Sequence, residues 1–538
     1  TYDGVAAANN GLDLEMPFAI FMTRKTLLPA IQQGKVSEAT IDEKVRRIFR
    51  TALRFGFLDR PQTDFSIPRY DPEARQVALE EARESIVLLK NENSLLPLDR
   101  GKIHTVAVLG PDAWPTVTGG GGSSIVTPFT SVGILDGLNQ MGGLKVLYAR
   151  GIPTVEELFE GTTLTAVDSG KPAPARSGDE NIKVETFAND HFSGKPESVA
   201  YVSNIDSWHP RVWGSGGASH RSVRWSGTYL PQSTGSYLFV VAATATDAYK
   251  LYVNGKVVVE ESRHESQAPH SAEFNLTAGQ PASIRLDYQP GGQEEFIGMG
   301  IRAMSDLISP DARQIAARAD AAIVSVGFDS SNESEGFDRS YALPYGQDAL
   351  IEAVRAANKY TIVVLTSGGD VDTHRWIAKV PAFLHNWYPG QEGGAALAEI
   401  LVGARSPEGK LPISFPVSWE QNPVHDHYYP PPTPAGQTPH VKYTEGVFLG
   451  YRYFTSTNEK PLFPFGFGLS YTTFSFSNLV VTPQATSDDQ VSVSFDVANT
   501  GARAGAEVAQ LYVGDPSAKV KRPAKELKGF EKVRLDPG

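Results

Sequence analysis

Asn332 to Arg339 reads N-E-S-E-G-F-D-R, placing Glu333 and Glu335 two residues apart, followed by Gly336 and Phe337. Carboxyl groups are residue types of general acid–base work, and a glycine beside them permits a sharp turn. The segment follows Ala321-Ala322-Ile323-Val324-Ser325-Val326-Gly327, a short β-branched run closed by glycine, which reads as a buried strand of an α/β sheet. Ligands of open α/β sheets gather at the carboxyl ends of the strands, so this loop stands where chemistry is expected. Composition alone favours a plainer reading, a solvated acidic loop with Asp338 and Arg339 as a surface pair.

Other residues could also do chemistry. Gly119-Gly120-Gly121-Gly122-Ser123-Ser124 can bring backbone N–H groups and a hydroxyl close to a ligand, but no Lys-Ser/Thr pair or G-x-G-x-x-G spacing makes it a phosphate loop. His425 and His427 flank Asp426 in a Pro/Tyr-rich stretch with no third ligand at a recognised spacing, so packed or solvated histidines are expected there and no metal. Trp376, Trp387 and Trp419 read as packing residues.

The elements around these residues sort into blocks. Thr40-Ile41-Asp42-Glu43 reads as a capping box opening a helix with Ile41, Val45, Ile48, Ala52 and Phe55 on one face, ended by Gly56. Asp71-Pro72-Glu73 opens a second helix that runs into Ile86-Val87-Leu88-Leu89-Lys90-Asn91. Strand runs at 105–109 and 145–148 precede a polar Pro/Gly/Ser/Thr stretch at 153–182. From 183 to about 303 the helical period vanishes and strands recur, with Asn254-Gly255 as a type I′ hairpin signature, giving an all-β insert. Helix and strand then alternate again: 310–319 helix, 321–327 strand, 346–357 helix, 360–365 and 382–384 strands, 393–402 helix. A Pro- and Tyr-rich connector follows, and from about 472 the chain reads all-β, as in the period-two run Gln490 to Val497.

Bulk properties narrow the function. At 538 residues several domains are expected, and a net charge of −12 with no basic cluster argues against a nucleic-acid partner. There is no long apolar segment able to span a membrane, and the absence of cysteine excludes disulfides and thiolate chemistry. Twenty Tyr and seven Trp are compatible with sugar-stacking surfaces. The chain starts on Thr1 with no charged-then-apolar leader and stops at Asp536-Pro537-Gly538 soon after a strand pattern; both ends read as cut points.

Eight phrases, in order, carry a resemblance: Gly11-Leu12-Asp13-Leu14-Glu15-Met16-Pro17, Ile86 to Asn91, Gly119 to Ser123, Glu335-Gly336-Phe337-Asp338-Arg339, Pro389-Gly390-Gln391-Glu392-Gly393-Gly394, Gly409-Lys410-Leu411-Pro412-Ile413-Ser414-Phe415-Pro416, Gly450-Tyr451-Arg452-Tyr453, and Pro464-Phe465-Gly466-Phe467-Gly468-Leu469-Ser470-Tyr471. Together they resemble family 3 glycoside hydrolases of the multidomain β-glucosidase type. The insert, with Arg224-Trp225-Ser226-Gly227 and Gly235-Ser236-Tyr237-Leu238-Phe239, is similar to the PA14 module carried by some members. Calcium-binding PA14 modules use adjacent aspartates; Thr244 to Ala248 offers only Asp247, so no calcium is expected and the module should shape the substrate entrance.

The resemblance implies a multidomain α/β plus all-β chain. Its expected parts are the C-terminal remnant of a β/α barrel (1–60) and an α/β sandwich domain in two pieces (61–152 and 306–425). A linker (153–182) and the PA14-like β-sandwich (183–305) interrupt that domain. A connector (426–465) and a truncated fibronectin-type-III-like domain (466–538) follow.

It also implies a retaining exo-β-glucosidase without cofactor, acting on β-linked glucosides or short oligosaccharides, with an extracellular or periplasmic location favoured. Retention needs two carboxyls about 5–5.5 Å apart, one attacking the anomeric carbon and one serving as acid/base. Glu335 matches the acid/base, with Glu333 as the second candidate. Ser123 matches a serine reaching the sugar, and Phe337 an aromatic on the leaving-group side.

The family's nucleophile is an Asp in a Ser-Asp-Trp motif, and no such motif occurs here. Neither Asp3 nor Asp13 carries it; Asp13 reads as a buried structural carboxylate. The chain alone is therefore expected to be inactive. The nearest alternatives are a β-xylosidase or α-arabinofuranosidase of the same family, and a non-catalytic carbohydrate-binding protein.

Overall fold

The computed structural model describes residues 3–165, 167–168, 171–172, 181–205, 221–244, 247–261, 268–291, 296–336, 338–429, 440–483 and 491–538. They fall into two compact units, Thr1–Pro72 and Glu73–Gly538.

The first unit holds helices Gly4–Asn9, Arg24–Gln32 and Glu38–Arg54. Asp3 caps the first, accepting from the Val5 and Ala6 amides, which explains that carboxylate structurally. The third starts earlier than the sequence indicated: Ser37, not Thr40, is its N-cap and accepts from the Thr40 amide at 3.0 Å. Both are hydroxyl residues, so the pattern alone did not separate them. Asp13 is half-buried rather than buried, with Arg47 at 3.3 Å and Lys44 at 3.9 Å. The core of this unit is small, centred on Ala8, Ala30 and Val36. Val45, Ile48, Phe49 and Leu53 of the long helix are exposed although its apolar spacing is amphipathic.

The second unit is built on a six-stranded sheet ordered Val87–Asn91, Ala382–His385, Thr361–Thr366, Ala321–Gly327, Thr105–Leu109, Lys145–Ala149. All neighbours are parallel except the edge strand Val87–Asn91, which is antiparallel. Ile86 to Asn91 thus leaves the preceding helix, Pro72–Ser85, to form a strand. Successive side chains point to opposite faces, and both faces are covered. Val324, Val363, Leu365 and Phe383 enter one core, while Ile323, Ile362, Val364 and Leu384 enter the other. On the second face, helices Ile134–Met141 and Gly393–Val402 approach so closely that a Cβ on Gly137 would lie 2.1 Å from the Gly394 carbonyl oxygen.

The insert packs a six-stranded antiparallel sheet against a three-stranded one. The middle strand of the smaller sheet, Gly235–Ala243, serves two cores by strict alternation. Tyr237, Phe239 and Val241 fill the insert, whereas Leu238, Val240 and Ala242 join the core of the α/β sheet. Asn254 and Gly255 both have positive φ, as the hairpin signature requires.

Residues 153–182 are more than a linker: Thr154 caps a helix, Val155–Glu160, whose Leu158 and Phe159 are buried in the same core. At the far end, the pairs Phe474–Pro483 with Val491–Asn499 and Gly505–Val513 with Glu526–Leu535 form two ribbons. Glu408, almost fully buried, anchors the second through Arg534 at 2.6 Å.

Candidate active site

The strand Ala321–Gly327 delivers the chain to the site, and its end is clamped. Buried Gln347 accepts from the Gly327 amide at 2.8 Å and donates to its carbonyl at 2.9 Å. Gly327 has φ +146°, and a Cβ there would fall 1.8 Å from the Thr366 carbonyl oxygen, so only glycine fits beside the next strand. Asp329 then folds the loop, accepting from the Ser331 amide at 2.8 Å.

From there the loop meshes with the glycine-rich segment. Gly121 and Ser334 form a parallel bridge, and the Gly121 amide donates to the Glu333 carbonyl at 2.8 Å. A Cβ on Gly121 would sit 2.6 Å from Ser334 Oγ. One on Gly122, at φ +81°, would sit 2.4 Å from Glu335 Cβ. What these glycines let close is the acidic loop itself.

Glu333 and Glu335 receive opposite treatment. Glu333 is turned into the domain, accepting from Tyr388 Oη at 2.7 Å and the Gly368 amide at 3.1 Å, with Arg339 Nε 3.1 Å from Oε1. Arg339 in turn lies over the Phe328 ring and donates to the Asp370 carbonyl at 2.9 Å. Burial foremost, together with the neighbouring Glu333, pushes the Tyr388 phenol well above its ordinary range. Glu335 is exposed and accepts from the Ser123 amide at 2.8 Å. Hydrogen bonding from the Ser123 side chain first, and then from its backbone, holds the Glu335 carboxyl below the ordinary range. Sequence reasoning named Ser123 and Glu335 separately; the fold brings them into contact. Phe337 lies outside the described residues.

The Asp338–Arg339 surface pair does not form. Arg339 is taken by Glu333, and Asp338 instead accepts from Tyr428 Oη at 2.8 Å. His385 could suggest a Ser–His couple, since its Nε2 is 3.1 Å from Ser367 Oγ. Both are fully buried, Ser367 donates to the Gly369 carbonyl at 2.6 Å, and burial pushes the imidazole down to about 3. The pair is a neutral scaffold under the loop.

His425 and His427 pair with different carboxylates, Asp426 at 2.9 Å and Glu445 at 2.7 Å, and among the described residues no group of three potential ligands gathers. In the insert, the Asp247 carboxylate accepts from Tyr288 Oη at 2.6 Å and the Gly291 amide at 2.8 Å. Trp376 is fully buried, as expected of a packing residue, but Trp419 is only half-buried and lines a cleft beside the loop.

Tyr388, Gly368 and Asp370 were missed from sequence, and Arg339 was read only as a surface partner of Asp338. The available signal was positional: Gly368 and Asp370 follow one buried strand and Tyr388 follows the next, at the same sheet edge as the acidic loop.

The site is thus an exposed carboxyl, Glu335, at a strand end of a doubly covered α/β sheet, in a domain of glycoside-hydrolase type. Residues 86–471 match the glycosyl hydrolase family 3 C-terminal domain, and residues 507–538 match a fibronectin type III-like domain. The chain belongs to glycoside hydrolase family 3. It is 33% identical over 573 residues to a probable β-glucosidase I of Aspergillus terreus, covering 100% of this chain and 66% of that protein. A probable β-glucosidase J of Aspergillus fumigatus is also 33% identical, with the same coverage.

Among solved structures, the Kluyveromyces marxianus β-glucosidase in complex with glucose superposes with a TM-score of 0.65 at 29% identity, over 100% of this chain and 65% of that one. A Streptomyces venezuelae β-glucosidase in complex with D-glucose gives 0.67 at 29% identity, over 99% and 64%. The chain thus spans about two thirds of the length of these relatives.

Proposed function

We propose that the protein carrying this chain is a retaining exo-β-glucosidase and that this chain supplies its acid/base, Glu335. The observation that carries the reading is the division of labour between the two glutamates. Glu333 is committed to Tyr388, Gly368 and Arg339, while Glu335 is exposed with one face of its carboxylate on the Ser123 amide. A group that must give and take a proton needs access; a group that holds a loop does not. The relatives described above are named as β-glucosidases, which favours glucose over xylose or arabinose at the cut bond.

In this reading a barrel aspartate attacks the anomeric carbon while Glu335 protonates the departing oxygen; Glu335 then takes a proton from water as the glycosyl ester is hydrolysed. Hydrogen bonding from Ser123 lowers the Glu335 pKa and so favours its charged form, which suits the second step. The first step needs its proton. A second carboxylate about 5–5.5 Å away would raise the Glu335 pKa by like-charge repulsion, and esterification of that carboxylate would lower it again. The nucleophile therefore switches the acid into a base.

Residues 1–60 are read as the end of that barrel, which accounts for the exposed Val45, Ile48, Phe49 and Leu53 as surface awaiting cover. The insert is read as a PA14-like module; Asp247, engaged by Tyr288 and Gly291, has the character of a structural carboxylate rather than a calcium ligand. Ser123 and Phe337 are read as sugar-facing and leaving-group-facing residues. Purified alone, the 538-residue chain should not turn over an aryl β-glucoside, because the covalent route lacks its nucleophile. Joined to the barrel it should. Clear turnover by the chain alone would overturn the reading.

A further inference from the structure

Just past the buried strand Ala382–His385, Trp387 has φ +51°, a left-handed backbone that a bulky side chain rarely adopts. The conformation is imposed from both sides. Before it, the Asn386 amide donates to the Leu365 carbonyl at 2.8 Å, continuing the pairing with the neighbouring strand. After it, the Gly390 amide donates to the Thr118 carbonyl at 3.0 Å, beside the glycine-rich segment. Between these fixed points the chain must leave the sheet within a few residues. The indole holds the turn by meeting the buried His385 ring edge to face, centroids 4.1 Å apart, and by packing on the core of the sheet. Packing explains the ring. It does not explain a tryptophan at a backbone position that glycine or asparagine would occupy without strain.

The turn delivers Tyr388. Its ring enters a slot between two glycines: a Cβ on Gly120 would lie 3.1 Å from Tyr388 Cε2, and one on Gly368 would lie 3.5 Å from the same atom. At the end of the slot Tyr388 Oη donates to Glu333 at 2.7 Å. The Glu333 carbonyl accepts from the Gly121 amide at 2.8 Å, and two residues on Glu335 accepts from the Ser123 amide at 2.8 Å. One ring thus touches the three segments that must agree for Glu335 to be in place: the glycine-rich segment, the turn at 366–370 and the acidic loop. A right-handed backbone at residue 387, with φ about −60°, would turn the following chain away from the slot.

We propose that Trp387 is a positioning residue for the acid/base. Its left-handed backbone aims Tyr388 at Glu333, and Tyr388 fixes the acidic loop on the glycine-rich segment and so places the Glu335 carboxyl. The proposal rests on Glu335 as the proton donor.

The test uses kcat/KM of the longer protein on two substrates: a dinitrophenyl β-glucoside, whose departure needs no acid, and methyl β-glucoside, whose departure does. Tyr388→Phe keeps the ring and removes the bond to Glu333; it should lose about tenfold on the methyl glucoside and clearly less on the dinitrophenyl one. Trp387→Ala should show the same selective loss. Trp387→Gly and Trp387→Asn accept a left-handed backbone more readily, so each should keep at least about threefold more methyl glucoside activity than Trp387→Ala. Loss of packing alone would rank glycine below alanine. In the purified 538-residue chain, the Gly121 amide should exchange with solvent about tenfold faster in Tyr388→Phe, a readout that needs no turnover and decides the matter if the Trp387 variants fail to fold.

Equal losses on the two substrates in Trp387→Ala, more activity in Trp387→Ala than in Trp387→Gly, or unchanged Gly121 exchange in Tyr388→Phe would overturn the proposal. Glu335→Gln on the same substrates separates the two readings. No selective loss there removes the acid assignment; selective loss there but not in Trp387→Ala and Tyr388→Phe removes the positioning role alone.

Discussion

The two halves of the loop 329–339 contain the same residue type and give it opposite fates. In one, Glu333 is held by a phenol, a backbone amide and a guanidinium and is largely shielded from water. In the other, two residues on, Glu335 is exposed and rests on a single neighbouring residue, Ser123. Identity and spacing do not decide which carboxylate reacts. In the proposed reading the partners that reach each from elsewhere in the chain do, holding Glu333 as a fastener and leaving Glu335 accessible for proton exchange.

The contrast can be broken experimentally, beginning with its largest consequence. In the longer protein, Glu335→Gln should lower turnover of a glucoside with a poor leaving group by about 10²- to 10⁴-fold, the usual worth of a positioned acid. Its melting temperature should stay unchanged. Glu333→Ala should do the reverse in kind, destabilising the chain by about 2–3 kcal/mol because Tyr388 and Arg339 lose a shared partner. Denaturant unfolding of the two variants side by side reads the difference; equal destabilisation would erase it.

Gly122→Ala should cost about 1–3 kcal/mol, since φ is +81° and the added methyl meets Glu335 Cβ. The same variant should reduce activity more than an equally destabilising core change, because it displaces the acid itself. The smallest effect is electrostatic. Ser123 favours the charged form of Glu335, so Ser123→Ala should raise that pKa and move the alkaline limb of the kcat/KM profile to higher pH by less than about one unit. An unmoved or downward-shifted limb would contradict the role given to Ser123.

Much of the scaffold was legible in the sequence because it is written locally. The run Ala321 to Gly327 is apolar on both faces, as a strand covered on both sides must be, and Asn254-Gly255 states its own turn. The glycine-rich segment was legible as a place of close approach, but not what approached it. Gly121 and Gly122 are small for the sake of Ser334 and Glu335, more than two hundred residues on.

The anchoring of Glu333 was not legible for the same reason. Tyr388 and Gly368 come from other strands, and nothing near Glu333 in sequence announces them. Trp419, read as a packing residue, does pack on Tyr341, His425 and Tyr428, but the sequence did not show that part of its ring stays exposed. Asp13, expected to be buried, is half-open to Arg47 and Lys44 because the unit around it has only a small core.

The central claim is that Glu335, and not Glu333, exchanges the proton. Chemical rescue tests it most directly: Glu335→Ala and Glu333→Ala in the longer protein, each assayed on a dinitrophenyl β-glucoside with and without azide. An activated leaving group needs no acid, and azide can replace the water that the missing base would have activated. The account predicts that azide accelerates Glu335→Ala and yields β-glucosyl azide, while folded Glu333→Ala shows no such response. Rescue of Glu333→Ala instead, or of neither variant, would contradict it.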